Sequence, residues 1–140
     1  MTVTISYSWR GTFGNDEVNT LHAEAFNTPV FSTDQWDWQS LLERHSLGWV
    51  TARDEERLVG FVNVISDGLV HAWIQDTMVA LHARRQGIGT SLVEIVREEA
   101  RAAGCEFLHV DFEDRLREFY YEACGFQPTS AGLIHLEPRT

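Results

Sequence analysis

Apolar and polar residues alternate along several short segments, which predicts strands. Residues 3–9 alternate and are rich in β-branched and aromatic side chains, as expected of a first strand. Apolar-rich segments at residues 48–53 and 58–65, on either side of a charged turn, predict an antiparallel pair. Asp67-Gly68, a favoured hairpin turn, leads into a long strand over residues 69–81. Two later strands are predicted at residues 107–112 and 131–136.

Four segments instead have helical spacing. Asn15 is predicted to cap a helix that ends near Phe26, and Ser32-Thr-Asp-Gln35 has the form of a capping box for a second helix that ends near His45. The third helix begins at Gly89 or Thr90 and ends at Ala103, and the fourth covers residues 115–124. The resulting order, β-α-α-β-β-β-α-β-α-β, predicts a mixed α/β fold with helices packed on the sheet. No linker or repeat interrupts it, so residues 1–140 are expected to form a single domain.

The composition excludes several classes of protein. Apolar residues make up 44% of the chain, its net charge is −10, and it contains no lysine. Such a surface is unsuited to nucleic acid and better suited to cationic partners such as amines. No apolar run is long enough to span a membrane and the N-terminus lacks the pattern of a signal peptide, so we expect a cytoplasmic protein. Two cysteines and scattered histidines, without metal-ligand spacing, predict no metal site.

The phase of the long strand changes along its length. Val70, Ala72 and Ile74 share one phase, whereas Val79 and Leu81 have the other. A change of phase indicates a β-bulge between about Asp76 and Val79, a feature common beside active sites. The alternative is that both faces of this strand are covered, in which case its phase carries no information.

A glycine-rich turn follows this strand directly. Gly87 and Gly89 stand among arginines where the strand gives way to a helix. Backbone amides at such a helix start form a pocket for a phosphate anion. The turn lacks the Lys-Ser/Thr pair of a P-loop and the third glycine of a dinucleotide-binding fold.

This segment resembles the signature of the GNAT superfamily of acyl-CoA N-acetyltransferases, Arg/Gln-x-x-Gly-x-Gly/Ala. Arg84-Arg85-Gln86-Gly87-Ile88-Gly89 satisfies that pattern after the predicted long strand. A second segment, residues 119–126, is similar to the family's C-terminal motif, with Tyr120-Tyr121 and Gly125-Phe126 in the matching places.

The resemblance implies a binding site for acetyl-CoA, the acyl donor, without a metal. It implies that the backbone of Val79 to Leu81 pairs with the pantetheine arm. The amides of the turn would hold the pyrophosphate, with Arg84 and Arg85 supplying charge; these amides belong to Gln86, Gly87, Ile88, Gly89 and Thr90. Asp114 stands where the family often has an asparagine that contacts pantetheine, and a carboxylate cannot donate the amide hydrogen bonds.

The expected reaction is direct attack of a neutral amine on the thioester, with a backbone amide near Val79 stabilising the oxyanion. The resemblance assigns Tyr121 to the departing thiolate. Asp76, beside the predicted bulge, is the first candidate for the base that deprotonates the amine. Asp111, Glu113 and a chain of water molecules are the alternatives.

The acceptor amine is expected to bind near the two N-terminal helices. Phe26, Phe31, Trp36 and Trp38, with Asp34 and Asp37, could form an aromatic and acidic site, although core positions are the simpler interpretation, above all for Trp36. Small amines and protein amines both remain open as acceptors, and a homodimer is compatible with the sequence. The rival hypotheses are a sensor or scaffold that binds acyl-CoA without turnover and a module for another phosphate-bearing nucleotide.

Overall fold

Five strands form one mixed sheet in the computed structural model, which describes residues 4–138 of the chain. Their spatial order follows the chain, and every neighbouring pair is antiparallel except the last, in which β5 runs parallel to β4. The strands are β1 (Ile5–Trp9), β2 (Ser46–Asp54), β3 (Arg57–Ser66), β4 (His71–Val79) and β5 (Phe107–His109).

Three helices accompany the sheet: α1 (Asn15–Phe26), α2 (Trp38–His45) and α3 (Ile88–Ala102). The apolar face of α3 is buried at Leu92, Val96 and Ala100. Contacts between residues divide the chain into a first unit that ends at Val110 and a second that begins at Asp111. The second unit contains short helical turns at Asp114–Leu116 and Glu118–Ala123. The expected mixed α/β class is therefore confirmed, whereas the single domain stays a prediction.

Both predicted N-terminal helix caps are wrong. Gly14 caps α1, and Asn15 instead bridges to the start of α2, where its Oδ1 accepts from the Gln39 amide at 3.0 Å. The Ser32 amide does donate to Gln35 Oε1 at 2.9 Å, but this capping box closes only an isolated turn. α2 begins five residues later than predicted, since Asp37 accepts from the Ser40 amide and supplies the cap.

The predicted C-terminal elements also differ from the structure. β5 ends at His109 because it pairs only with three residues of β4. Residues 131–136 form no strand, and the side chains of Leu133, Ile134 and Leu136 are 81–87% exposed. An alternating pattern does not by itself supply the neighbouring strand that satisfies the backbone groups. Val3, placed in the first strand by the sequence, lies outside the described residues.

Gly60 lets α3 approach the sheet closely beside the end of β4. It is the cross-strand partner of Val79, and a Cβ there would lie 2.9 Å from Ile88 Cγ2 and 3.1 Å from Ala52 Cβ. We expect Gly60→Val to lower the free energy of unfolding by about 1–3 kcal/mol through overpacking. Urea denaturation measures this change. Gly132→Val is the matched control, because no atom lies within 4 Å of a Cβ at that position; equal losses in both variants would contradict the packing argument.

Candidate active site

A β-bulge interrupts β4 at the position that the sequence predicts. Gln75 is opposite Asn63 and Met78 is opposite Phe61, so two residues of β4, Asp76 and Thr77, face one residue of β3. Asp76 has a φ of 58°, in the left-handed region that a non-glycine residue seldom occupies. Local backbone strain of this kind is concentrated at functional sites. The predicted bulge is confirmed, and Asp76 forms part of it.

Beyond the bulge, β4 has an open edge on the side away from β3. The pairing with β5 ends at Trp73 and His109, whereas β4 continues to Val79. The Ala80 amide donates to Val59 O at 2.8 Å and so belongs to the sheet. Strand geometry therefore turns the backbone groups of Val79 away from β3, towards the open edge.

Side chains contact the polar groups at this strand end. Arg84 Nε donates to Val79 O at 3.3 Å, and the Leu81 amide donates to Glu24 Oε2 at 2.7 Å. The second contact fixes α1 against the residues that follow β4. The backbone groups that the sequence assigns to pantetheine thus already interact with an arginine and a glutamate of the same unit.

The glycine-rich turn presents the start of α3 to solvent. Gly87 caps the helix with a φ of 78°, and Arg85 also has a positive φ, 67°. The Ser91 amide makes the first helical hydrogen bond, to Gly87 O, so the amides of residues 88–90 lack acceptors within the helix. Arg84 and Arg85 are exposed, and no acidic residue lies in the first turn. This arrangement is suited to an anion.

A hydrogen-bonded chain of polar side chains holds Asp76. Asn63 is 2% exposed, and its Oδ1 accepts from Ser46 Oγ. That bond leaves the Asn63 amide nitrogen as the donor, and the Asn63 side chain bonds to the half-buried Asp76 carboxylate. Desolvation by burial raises the pKa of Asp76, although His22 and the Asn63 hydrogen bond act in the opposite direction. A carboxylate with a raised pKa is a stronger proton acceptor than an ordinary aspartate.

The two alternative acids are less suited to this role by their surroundings. Asp111 and Glu113 are both exposed, and Glu113 Oε2 forms an ion pair with Arg115 Nε at 2.9 Å. Both residues belong to the second unit. Asp76, by contrast, is half-buried, and desolvation raises its pKa.

Tyr121 lies in the second unit, on its last helical turn. Its half-buried ring packs edge-on against Phe112, with ring centroids 5.2 Å apart, and Arg117 Cζ lies 5.8 Å from the ring centre. Arg117 Nη2 also donates to Asp114 Oδ1 at 2.7 Å, and this hydrogen bond raises the pKa of Arg117. Asp114, where the family often has asparagine, is therefore paired with an arginine inside its own unit.

Four aromatic rings gather around His22, and we call these five side chains the aromatic cluster. The His22 ring centroid lies 4.9 Å from that of Phe26, 5.7 Å from Phe31, 6.4 Å from Trp36 and 5.9 Å from Trp38.

Trp36 is 43% exposed, so its expected core position is wrong; Trp38 is the core residue, at 1% exposed. Trp38 is the first residue of α2 and its Nε1 donates to Asn19 Oδ1 at 2.8 Å, whereas Trp36 precedes the helix cap.

Three residues around Asp76 were not predicted from the sequence: His22, Ser46 and Asn63. Asn63 had a detectable signal, since it is the one amide side chain in an otherwise apolar strand and needed a buried hydrogen-bond partner. His22 and Ser46 had no such signal in the sequence, because both are distant from Asp76 along the chain and only the fold brings them to the site.

Within residues 4–138, no three histidine, cysteine or acidic side chains are grouped so that they could hold a metal ion. No helix in the same range has the length and apolar character needed to cross a bilayer.

Solved acetyltransferase structures share this fold. A probable acetyltransferase from meticillin-resistant Staphylococcus aureus superposes with a TM-score of 0.76 at 20% identity, covering 96% of this chain and 100% of that chain. A GNAT family protein from Streptococcus pneumoniae gives 0.74 at 21% identity, covering 97% and 100%. The aminoglycoside N-acetyltransferase AAC(6')-Iy, solved in complex with CoA, gives 0.77 at 15% identity, covering 98% and 97%.

The sequence itself identifies the family. The model of the acetyltransferase (GNAT) family matches residues 15–126, most of the chain. No curated protein matches the sequence significantly. The chain belongs to the GNAT family of acetyltransferases.

Proposed function

We propose that this protein transfers an acetyl group from acetyl-CoA to a primary amine by direct attack. One observation carries the proposal: an open strand edge at Val79 leads directly into a helix start with free amides and two exposed arginines. An extended arm can add to such an edge like a strand, and a pyrophosphate suits such a helix start. Both halves of acetyl-CoA therefore have a complementary surface within the first unit.

The proposed donor site uses the signature residues. The amides of residues 86–90 and the charges of Arg84 and Arg85 would hold the pyrophosphate, while Val79 and Leu81 would pair with the pantetheine arm. The contacts of Arg84 with Val79 O and of Glu24 with the Leu81 amide would have to yield to that arm. Asp114 is a weaker candidate for a donor contact, because Arg117 already occupies its carboxylate.

The acyl donor, when bound, supplies the activated thioester carbonyl. On the protein side, the Val79 amide faces the open edge and can donate to the oxygen that gains negative charge during attack. Asp76 accepts the proton that the attacking amine loses, and Asn63 and Ser46 hold its carboxylate in position. Tyr121 protonates or hydrogen-bonds the departing thiolate, a role proposed from its match to the family segment.

The acceptor is an amine whose identity the family does not define. The similar structure solved with CoA is an aminoglycoside N-acetyltransferase, which supports a small-molecule amine as acceptor for this chain too. The net charge of −10 favours a cationic acceptor in general.

Two measurements test the proposed function. Isothermal titration calorimetry with acetyl-CoA tests the donor site, and thiol release over a panel of amines tests turnover. Binding together with amine-dependent release of CoA supports the proposal. Tight binding without turnover on any amine would favour a sensor or scaffold, and absence of binding would contradict the donor site itself.

Tyr121→Phe is expected to lower kcat by about tenfold. A thiol with a pKa of about 8.5 is already a fair leaving group, so loss of the hydroxyl slows the reaction without abolishing it. Steady-state thiol release measures the change. The control is Tyr7→Phe, a tyrosine on β1 at the far end of the sheet order from β4; an equal fall in both variants would remove Tyr121 from the mechanism.

A further inference from the structure

We propose that the aromatic cluster binds the acceptor, and that the acceptor is a small primary amine carrying an aryl or other flat apolar group. The inference rests on the proposed function and adds to it the chemical class of the substrate. It is carried by the exposure of the cluster, its position beside the bulge and the commitment of the neighbouring charged groups.

The cluster exposes large apolar side chains in one place. Phe26 is 40% exposed and Trp36 is 43% exposed. The half-buried His22 ring packs against both, and the buried Trp38 contacts His22 and Trp36. Phe31 and Trp36 are stacked, with centroids 6.0 Å apart and planes inclined by 21°. An exposed group of aromatic rings that continues into the core is a surface that a flat apolar ligand can cover.

The cluster adjoins the bulge that contains the proposed base. The ring of Trp38 packs edge-on against Phe61, with centroids 5.9 Å apart, and Phe61 is the cross-strand partner of Met78, the residue that follows the bulge. His22, at the centre of the cluster, interacts electrostatically with Asp76. An acceptor whose apolar group covers the cluster would therefore have its amine near the Asp76 carboxylate.

The charges around the cluster favour a single ammonium group over several. No member of the cluster carries a carboxylate, and burial lowers the pKa of His22, which favours the neutral imidazole, although the charge of Asp76 acts in the opposite direction. Asp37, next to Trp38, is committed to Asn15 Nδ2 at 2.8 Å and to the Ser40 amide at 3.2 Å. The aromatic faces themselves attract one ammonium group. An amine with one ammonium group and a flat apolar group therefore matches this aromatic surface better than a polycationic amino sugar does.

The test compares three amines with acetyl-CoA at saturation: phenethylamine, ethylamine, which lacks the ring, and neamine, a polycationic amino sugar. We expect kcat/KM for phenethylamine to exceed that for ethylamine by at least about tenfold. The reason is that the phenyl ring of phenethylamine is buried against the cluster, whereas ethylamine has no ring to bury. Trp36→Ala should lower the phenethylamine value by about tenfold and the ethylamine value by less than about twofold. Trp36→Phe, which keeps a ring, should restore most of the loss. Phe107→Ala is the matched control, since Phe107 is 56% exposed on β5, outside the cluster.

Calorimetric binding of phenethylamine separates failure of this inference from failure of the proposed function. Binding that depends on Trp36, together with turnover, supports both. Binding that depends on Trp36 without any turnover supports the cluster as an amine site and contradicts the acetyltransferase activity. If ethylamine or neamine is acetylated as well as phenethylamine, or if Trp36→Ala leaves the preference unchanged, the inference is overturned while the activity stands. If no amine binds and no amine is acetylated, both this inference and the proposed function are overturned.

Discussion

Asp76→Asn is expected to lower kcat/KM for amine acetylation by about 100-fold or more, the usual contribution of a positioned general base. The carboxylate lies in the bulge, is held by Asn63 and has a pKa raised by burial, all of which favour proton transfer from the amine. Asparagine keeps the size and the ability to accept the Asn63 hydrogen bond but cannot take the proton. Steady-state kinetics with a reactive amine measures the loss.

Asp111→Asn is the matched control, because Asp111 is an exposed aspartate and one of the alternative bases. Affinity for acetyl-CoA, measured by calorimetry, should be unchanged in Asp76→Asn, since the proposed donor site does not include this carboxylate. A large fall in Asp111→Asn with little change in Asp76→Asn would transfer the role to Asp111. Equal small effects would favour proton removal by water.

The same assignment predicts the pH dependence. The base must be deprotonated to act, so kcat/KM falls as the pH drops through the pKa of Asp76. Because burial raises that pKa, the fall is expected at a higher pH than for an ordinary aspartate. When kcat/KM is expressed per neutral amine, whose fraction falls with pH for both proteins, this acid limb should be absent from the residual activity of Asp76→Asn. An unchanged limb in the variant would assign it to another group.

Reversing both charges, Arg84→Glu with Arg85→Glu, is expected to raise the Kd for acetyl-CoA by at least about 100-fold. Each arginine offers a charge-assisted hydrogen bond to a phosphate, and such bonds contribute about 1.5–3 kcal/mol each. The two glutamates would also repel the anion at the helix start. Isothermal titration calorimetry on the folded variant gives the Kd.

Two controls make this prediction specific to the pyrophosphate. Arg101→Glu changes an exposed arginine at the other end of α3, paired there with Glu98, and should leave the Kd nearly unchanged. Acetyl-pantetheine, which lacks the phosphates, should lose little affinity in the Arg84/Arg85 variant. Loss of affinity for both ligands alike would show that the substitutions damage the fold and do not remove a phosphate contact.

The elements that the sequence predicts well have strong local signals. Two glycines mark the start of α3: Gly87 caps it with the positive φ for which glycine is suited, and Gly89 is its second residue. A change in strand phase indicated the bulge at Asp76, although the buried positions beyond it are Met78 and Ala80, and Leu81 is exposed. Both signals come from residues close together in the chain.

The features that the sequence misses depend on contacts between distant residues. Nothing local indicates that His22 on α1 lies near Asp76, or that Ser46 fixes the orientation of Asn63. Trp36 and Trp38 have equal apolar character, and only the position of the α2 cap at Asp37 decides which of them is buried. The predicted strand at 131–136 failed for a similar reason, because strand formation requires a partner that the pattern does not specify.

The most direct test of the central claim is to incubate the wild-type protein with acetyl-CoA and phenethylamine and to measure both products. We predict one N-acetyl-phenethylamine, identified by mass spectrometry, for each CoA released, at a rate proportional to protein concentration. CoA release without acetylated amine, for phenethylamine and for every other amine in the panel, would contradict acetyl transfer to an amine.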